Sequence, residues 1–348
     1  MTTSPDPPAA RGEQAVAAGM GPDRSGRGGR RRGRRRDEHQ MVPDATFTSY
    51  YGRPIVKASP WQADIPAYFF MGGLAGGSSL LAAGADLTGR PGLRRAGRLT
   101  AAAALTGSLW ALVHDLGKPS RFLNMLRMLK VTSPMSVGTW IVSAYAPLAY
   151  LAAAQELPGA LPAPLRRPVE LAGTPAGLAA ALMAPAVASY TGVLLADTAT
   201  PTWNAARRHL PFLFVASAAT AASGMGMLAA PVADAGPARR LGLAAAVADL
   251  AINQHLETTM GLAAEPLHDG RAGQLMTAAR VLTAAGALGS LLSRRSRVAA
   301  VASGIALLGG SACLRFGIFE AGQASARNPK YTVTPQRDRM RAEGRPGA

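Results

Sequence analysis

The sequence predicts an all-α integral membrane protein, with eight transmembrane helices grouped as two four-helix bundles behind a disordered basic N-terminal tail. Three observations carry that prediction. Eight runs approach the roughly 20 mostly apolar residues a helix needs to cross a bilayer core, at 64–86, 99–117, 135–155, 173–195, 209–230, 240–262, 274–293 and 298–320. The connectors between them, among them TGRPGLRRAGR, LPGALPAPLRRP and SRRSR, hold the Gly, Pro and Arg expected of loops at headgroup level. Stretches such as TAAAALTGSLWALV lack the charged face that recurs every few residues in a soluble helical bundle.

Residues 1–45 contain RSGRGGRRRGRRR and supply much of the net charge of +17. They show no apolar periodicity, so they cannot bury enough surface to offset their chain entropy. No short apolar core follows the arginines, which argues against a secretory signal. A plainly solvated tail fits this composition first, with attraction to acidic lipid headgroups as the next reading, and no nucleic-acid partner is expected. The membrane domain then occupies 46–325, and a polar C-terminal tail 326–348.

The first span, FFMGGLAGGSSLLAAG, overlays two small-xxx-small pairs, Gly72 with Gly76 and Gly73 with Gly77, which allow close approach of another helix. Tyr68 lies four residues before Gly72, on the same face. The second span ends on His114 and Asp115. After it, GKPSRFLNMLRMLK is too charged to cross and predicts an interfacial amphipathic helix started by Pro119, able to roof a site or dock a partner. The seventh run is interrupted by Arg280, near enough to its end to snorkel.

With an even number of spans both termini share one side, side A. Loop cations alone put the opposite side, B, in the cytoplasm, whereas adding the basic tail reverses that assignment, so orientation stays open. Ionisable groups inside spans are costly and point to function. Asp64, His114, Asp115, Asp197, His209, His255, Glu257, Arg315 and Glu320 all fall toward side A, with Asp249 near mid-span and Asp86 toward side B. The expectation is a polar half facing side A and a plainer half facing side B. Cys313 is the sole cysteine, so the chain offers no disulfide and no cysteine-ligated zinc or iron–sulfur site.

IPAYFFMGGLAGGSSLL, HDLGKPSRFLNMLRMLKVTSPMSVGTW, YTGVLLADTATPTW and LLGGSACLRFGIFEAGQ, in that order, resemble the polysulfide-reductase/NrfD-like membrane subunits over about Tyr51–Gln323. The resemblance implies an eight-helix subunit of the bacterial plasma membrane that exchanges electrons between quinone, such as menaquinone, and a partner iron–sulfur subunit of the four-cluster, ferredoxin-like kind. That partner serves a molybdopterin catalytic subunit, and this chain carries no haem, cluster, metal or catalytic centre. The pocket is expected near the first four spans. Tyr68 and His114 would face the quinone headgroup, Asp64 and Asp115 would relay protons, and Arg121 and Trp140 would position the lid. Asp249, His255, Glu257, Arg315 and Glu320 would extend a proton path, with Arg315 also a candidate for partner contact or for simple pairing with an acid.

Three rival readings stay open on the sequence alone. A transporter would also cluster ionisable groups, but calls for inverted repeats and helices broken at mid-bilayer, which the sequence does not display. A b-type cytochrome could use His114, His209 or His255 as axial ligands. A plain membrane anchor would need no site at all.

Overall fold

Between Asp64 and Arg327 the chain runs back and forth as eight long helices. They are α1 (Asp64–Leu87), α2 (Pro91–Asp115), α3 (Pro134–Gln155), α4 (Ala163–Ala196), α6 (Leu210–Ala229), α7 (Gly236–Thr259), α8 (Gly270–Leu292) and α9 (Arg297–Arg327). A short α5 (Pro201–Ala205) precedes α6, and α10 (Lys330–Ala342) follows α9. The structure is a computed structural model that describes residues 53–116 and 118–343. The side chains of Pro119, Arg121, Phe122 and Leu123 and the basic tail at 1–45 lie outside that description.

Seven of the long helices are long and apolar enough to cross a membrane. The remaining one, α7, has 24 residues, about 36 Å at 1.5 Å per residue, but carries Arg239, Arg240, Asp249 and Glu257. It returns the chain from the end of α6 to the start of α8 and packs on both, which makes it the eighth span.

Helices α1–α4 pack together, as do α6–α9, and the two groups meet where α1 lies against α6 and α9 and α4 against α6. The glycines of α1 allow this. A β-carbon on Gly72 would lie 3.3 Å from Ser108 Oγ of α2, on Gly76 3.0 Å from the Ala184 carbonyl of α4, and on Gly77 2.6 Å from the Ala218 carbonyl of α6. Gly73 sits against Ala218 and the Arg315 guanidinium of α9. One helix thus touches its neighbours through hydrogen-sized side chains, gaining close van der Waals contact where lipid supplies no hydrophobic drive.

Three expectations need correction. Arg94 and Arg98 are not loop cations, because α2 starts at Pro91, whose fixed φ and missing N–H suit a first helical turn. Side B is not the plainer half: Arg98, 3% exposed, pairs with Asp86 of α1 at 2.8 Å and Glu156 at the end of α3 at 2.9 Å, and Arg94 holds the same two acids. Within 117–130 the expected helix started by Pro119 is present, as a short 3-10 helix over Pro119–Leu126. The C-terminal segment is also not a plain tail. Helix α9 extends to Arg327, and α10 docks through Lys330, whose ammonium donates to Glu265 at 2.7 Å, and Tyr331, whose hydroxyl donates to the same carboxylate at 3.3 Å.

Candidate functional site

Near the side A ends of the first four long helices lies a cavity of about 270 Å³. Its walls come from Ile65, Tyr68 and Phe69 of α1, Leu109, Leu112 and Asp115 of α2, positions between 135 and 146 of α3, and Tyr190 and Leu194 of α4, with Trp61, Leu116 and Met125 across the mouth. The lining is almost wholly apolar, with a few polar atoms, the usual composition of a small-molecule site. An apolar cavity of about 150 Å³ accommodates benzene, so this space holds an aromatic head with room for substituents.

The polar atoms differ in what they have left to give. Thr139 donates to the Met135 carbonyl at 3.0 Å and Ser143 to the Thr139 carbonyl at 2.8 Å, so both hydroxyls are used within α3. The Tyr68 and Tyr190 hydroxyls have no hydrogen-bond partner among the described residues, although both side chains are less than a tenth exposed. A hydroxyl that borders an apolar cavity without a partner is free to donate to an acceptor bound there. Two such donors facing one cavity await an acceptor.

Tyr190 reaches the cavity because position 138 has no side chain: a β-carbon on Gly138 would overlap the tyrosine ring. Tyr190 also borders an open groove of about 530 Å³ between α3 and α4, walled by Val137, Ile141 and Val193. It therefore stands between the enclosed space and the flank of the bundle.

Among the described residues Asp115 is the one carboxylate in the lining. It lies by the Gln62 backbone and within electrostatic reach of Asp64 and His114. His114 Nδ1 is 3.1 Å from Asp64 Oδ2, its imidazole stacks on Trp110 at 5.1 Å, and its side chain is 61% exposed. The expected headgroup contact through His114 is therefore not what the geometry offers, because the last turn of α2 aims consecutive residues 114 and 115 in different directions and only Asp115 turns inward. Trp140 is likewise outside, 40% exposed, with its indole N–H 3.5 Å from the Met128 carbonyl. Arg121 falls among the undescribed side chains.

The second group of expected residues is not brought to this cavity. Arg315 is fully buried between the helix groups, donates through Nη2 to the Phe214 carbonyl at 2.6 Å, and lies 3.7 Å over the Phe214 ring. Its Nε and Nη1 have no partner, and no acid among the described residues is in ion-pair contact with it. Asp249 is buried near it, in a narrow void with Asn253, Arg280 and Thr283. Glu257 pairs with Arg280 at 3.3 Å and His268 at 3.7 Å, Glu320 with Arg271 at 3.8 Å, and His255 meets His209 edge-on at 4.9 Å. Phe214 in turn packs against Phe69, so one aromatic layer separates Arg315 from the cavity wall. Among the described residues no three His, Cys, Asp or Glu side chains converge to hold a metal ion.

The sequence pattern does not single out Tyr190, Gly138 or Met125. Tyr190 was open to detection as a hydroxyl about two turns inside an apolar span, where a polar group calls for a reason. Gly138 needed the α3–α4 packing to be known.

Fold and site together define a multi-pass helical membrane protein with an apolar cavity lined by two tyrosines and an aspartate. A family profile described as polysulphide reductase, NrfD, matches residues 55–240, and the chain belongs to that family. Its members are membrane, quinone-interacting subunits of oxidoreductases. The match covers α1–α4 and reaches into α7, so it includes every wall of the cavity. Comparison with curated proteins finds no match.

Proposed function

We propose that this chain is the membrane anchor and quinone/quinol-interacting subunit of a multi-subunit oxidoreductase in a bacterial plasma membrane. Residues 46–325 form the membrane domain, 1–45 a basic tail and 326–348 a C-terminal extension. Electrons pass between quinone in the α1–α4 cavity and a four-cluster iron–sulfur partner, which serves a molybdopterin catalytic subunit. The observation that carries the reading is the pair of unpartnered tyrosine hydroxyls, Tyr68 and Tyr190, facing one apolar cavity.

Quinone reduction consumes two electrons and two protons, and oxidation releases them, so the protein must bind an aromatic head and connect it to water. The apolar wall of Phe69, Leu109, Leu112, Val142 and Leu194 takes the ring, and the groove between α3 and α4 lets an isoprenoid tail leave toward lipid. Tyr68 and Tyr190 donate hydrogen bonds to carbonyl oxygens. Asp115 at the mouth holds or passes a proton, and Asp64 with exposed His114, 3.1 Å away, continues the path to water. In this arrangement His114 ends the proton path instead of touching the headgroup. Trp140 and Arg121 frame the approach at the roof.

The test is titration of the chain in nanodiscs with a soluble menaquinone analogue. Tyr190→Phe and Tyr68→Phe each keep the ring and delete one donor. Loss of a hydrogen bond of about 0.5–1.5 kcal/mol predicts about 2- to 12-fold weaker binding for each. Wild-type affinity in both variants would refute the assignment.

A further inference from the structure

At the opposite end of the bundle, four arginines from three segments surround an open recess of about 500 Å³. Arg90 comes from the α1–α2 turn, Arg239 and Arg240 from the first turn of α7, and Arg294 from just beyond α8. None of the four is in an ion pair among the described residues, whereas Arg94 and Arg98, one and two turns further along α2, are both matched by Asp86 and Glu156. Asp234, five residues before Arg239, accepts from the Gly92 backbone N–H at 2.8 Å instead.

The guanidiniums also converge. Arg90 Nη1 and Arg239 Nη2 lie 3.6 and 3.7 Å from the point that a β-carbon on Gly236 would occupy. Each is steadied from behind, Arg90 by the Ala233 carbonyl at 3.2 Å and Arg239 by the Val232 carbonyl at 2.9 Å. Arg240 and Arg294 have no hydrogen-bond partner among the described residues. Like charges held around a common space repel each other, and an anion in that space reverses the sign of the interaction. A cluster that served only to set topology would need the charge on this side of the membrane, not a shared recess. The rest of the wall is Ala233, Gly236 and Ser290 with two leucines, and Leu243 and Leu291, the latter 57% exposed, lead from the arginines along α7 and α8.

We propose that this recess is a binding site for an anionic phospholipid, with its phosphodiester oxygens on Arg90, Arg239, Arg240 and Arg294 and its acyl chains over Leu243 and Leu291. Four cations without a countercharge match a headgroup with two phosphates, as in cardiolipin, better than one with a single phosphate. The site is separate from the quinone cavity and does not depend on it.

Native mass spectrometry of the full chain, released from nanodiscs containing cardiolipin, phosphatidylglycerol or phosphatidylcholine, tests the proposal. The expected result is saturable retention of one cardiolipin, weaker retention of phosphatidylglycerol and none of phosphatidylcholine. Arg239→Gln with Arg294→Gln should weaken cardiolipin at least about tenfold, and Arg239→Lys with Arg294→Lys should restore part of the loss. Millimolar inorganic phosphate added to wild type should leave the lipid in place; displacement by phosphate would identify a free-anion site and overturn the lipid assignment. Equal retention of phosphatidylcholine by wild type would overturn it as well, with no reliance on any variant folding.

Discussion

Gly138→Ala is the most informative single change, since it adds one methyl group at the contact that lets Tyr190 into the cavity. The added carbon would occupy the same space as the tyrosine ring, so either the ring rotates away or α3 moves off α4. Overpacking of this kind costs about 1–3 kcal/mol. If the ring yields, its hydroxyl leaves the carbonyl it serves, and a further 0.5–1.5 kcal/mol, roughly, is lost from binding. At about 1.4 kcal/mol per tenfold, the lost hydrogen bond predicts a menaquinone analogue bound about 2- to 12-fold weaker, while the overpacking cost shows as a lowered melting temperature. Gly84→Ala is the matched control: it also lies within a helix, but nothing approaches its β-carbon position within 4 Å. Alanine there should raise helix stability by up to about 1 kcal/mol with binding unchanged. The assay is quinone titration in nanodiscs beside thermal unfolding of the same samples. Wild-type affinity in Gly138→Ala would refute the claim that Tyr190 is poised by this glycine, and an equal loss in Gly84→Ala would refute its specificity.

Three further outcomes follow from the same geometry. Asp115→Asn should bind quinone within about threefold of wild type yet lower quinol-linked turnover of the assembled complex by about 10²-fold, the scale of positioned proton transfer; equal loss of binding and turnover would mean Asp115 shapes the pocket only. Arg98→Gln removes the buried cation of the network while Arg94 still pairs with Asp86 and Glu156, and should destabilise the chain by about 1.5–3 kcal/mol, the scale of hydrogen bonds to charged groups, read as a lowered melting temperature in detergent, with an unchanged melt ruling out the network as a lock between α1, α2 and α3. The Lys330 ammonium bonded to Glu265 holds that exposed carboxyl below the ordinary glutamate range. Its contribution to docking α10 is therefore complete above the unfolded pKa and is lost as pH falls through the depressed folded value. A nitroxide at Gln336 on a Cys313→Ser background should stay immobile near neutrality and gain mobility only as pH falls below the ordinary glutamate range; mobility independent of pH would refute the docking role.

The spans were legible because the requirement for about 20 apolar residues is a local property, and most ends agree to within a few positions. The ends that moved have specific causes. Arg94 and Arg98 look like loop residues until their acids, eight and twelve residues back on α1 and far ahead on α3, are brought beside them. Pro168 and Pro175 look like breakers but lie inside α4, as bilayer-embedded helices permit when neighbours satisfy the freed carbonyls. For the site, Tyr68 and Asp115 were readable as polar groups at the ends of apolar runs on one side. Whether His114 or Asp115 points inward depends on the rotation of α2 about its axis, which a one-dimensional pattern of alanines and leucines leaves undetermined. Tyr190 and Gly138 are a pair only in three dimensions.

Photoaffinity labelling by an azidoquinone, with the labelled peptides mapped by mass spectrometry, tests the central claim most directly. Saturable labelling of the segments bearing Tyr68, residues 135–146 and Tyr190, suppressed by excess menaquinone analogue, is the predicted result. Labelling confined to α6–α9, or insensitive to competitor, would contradict it.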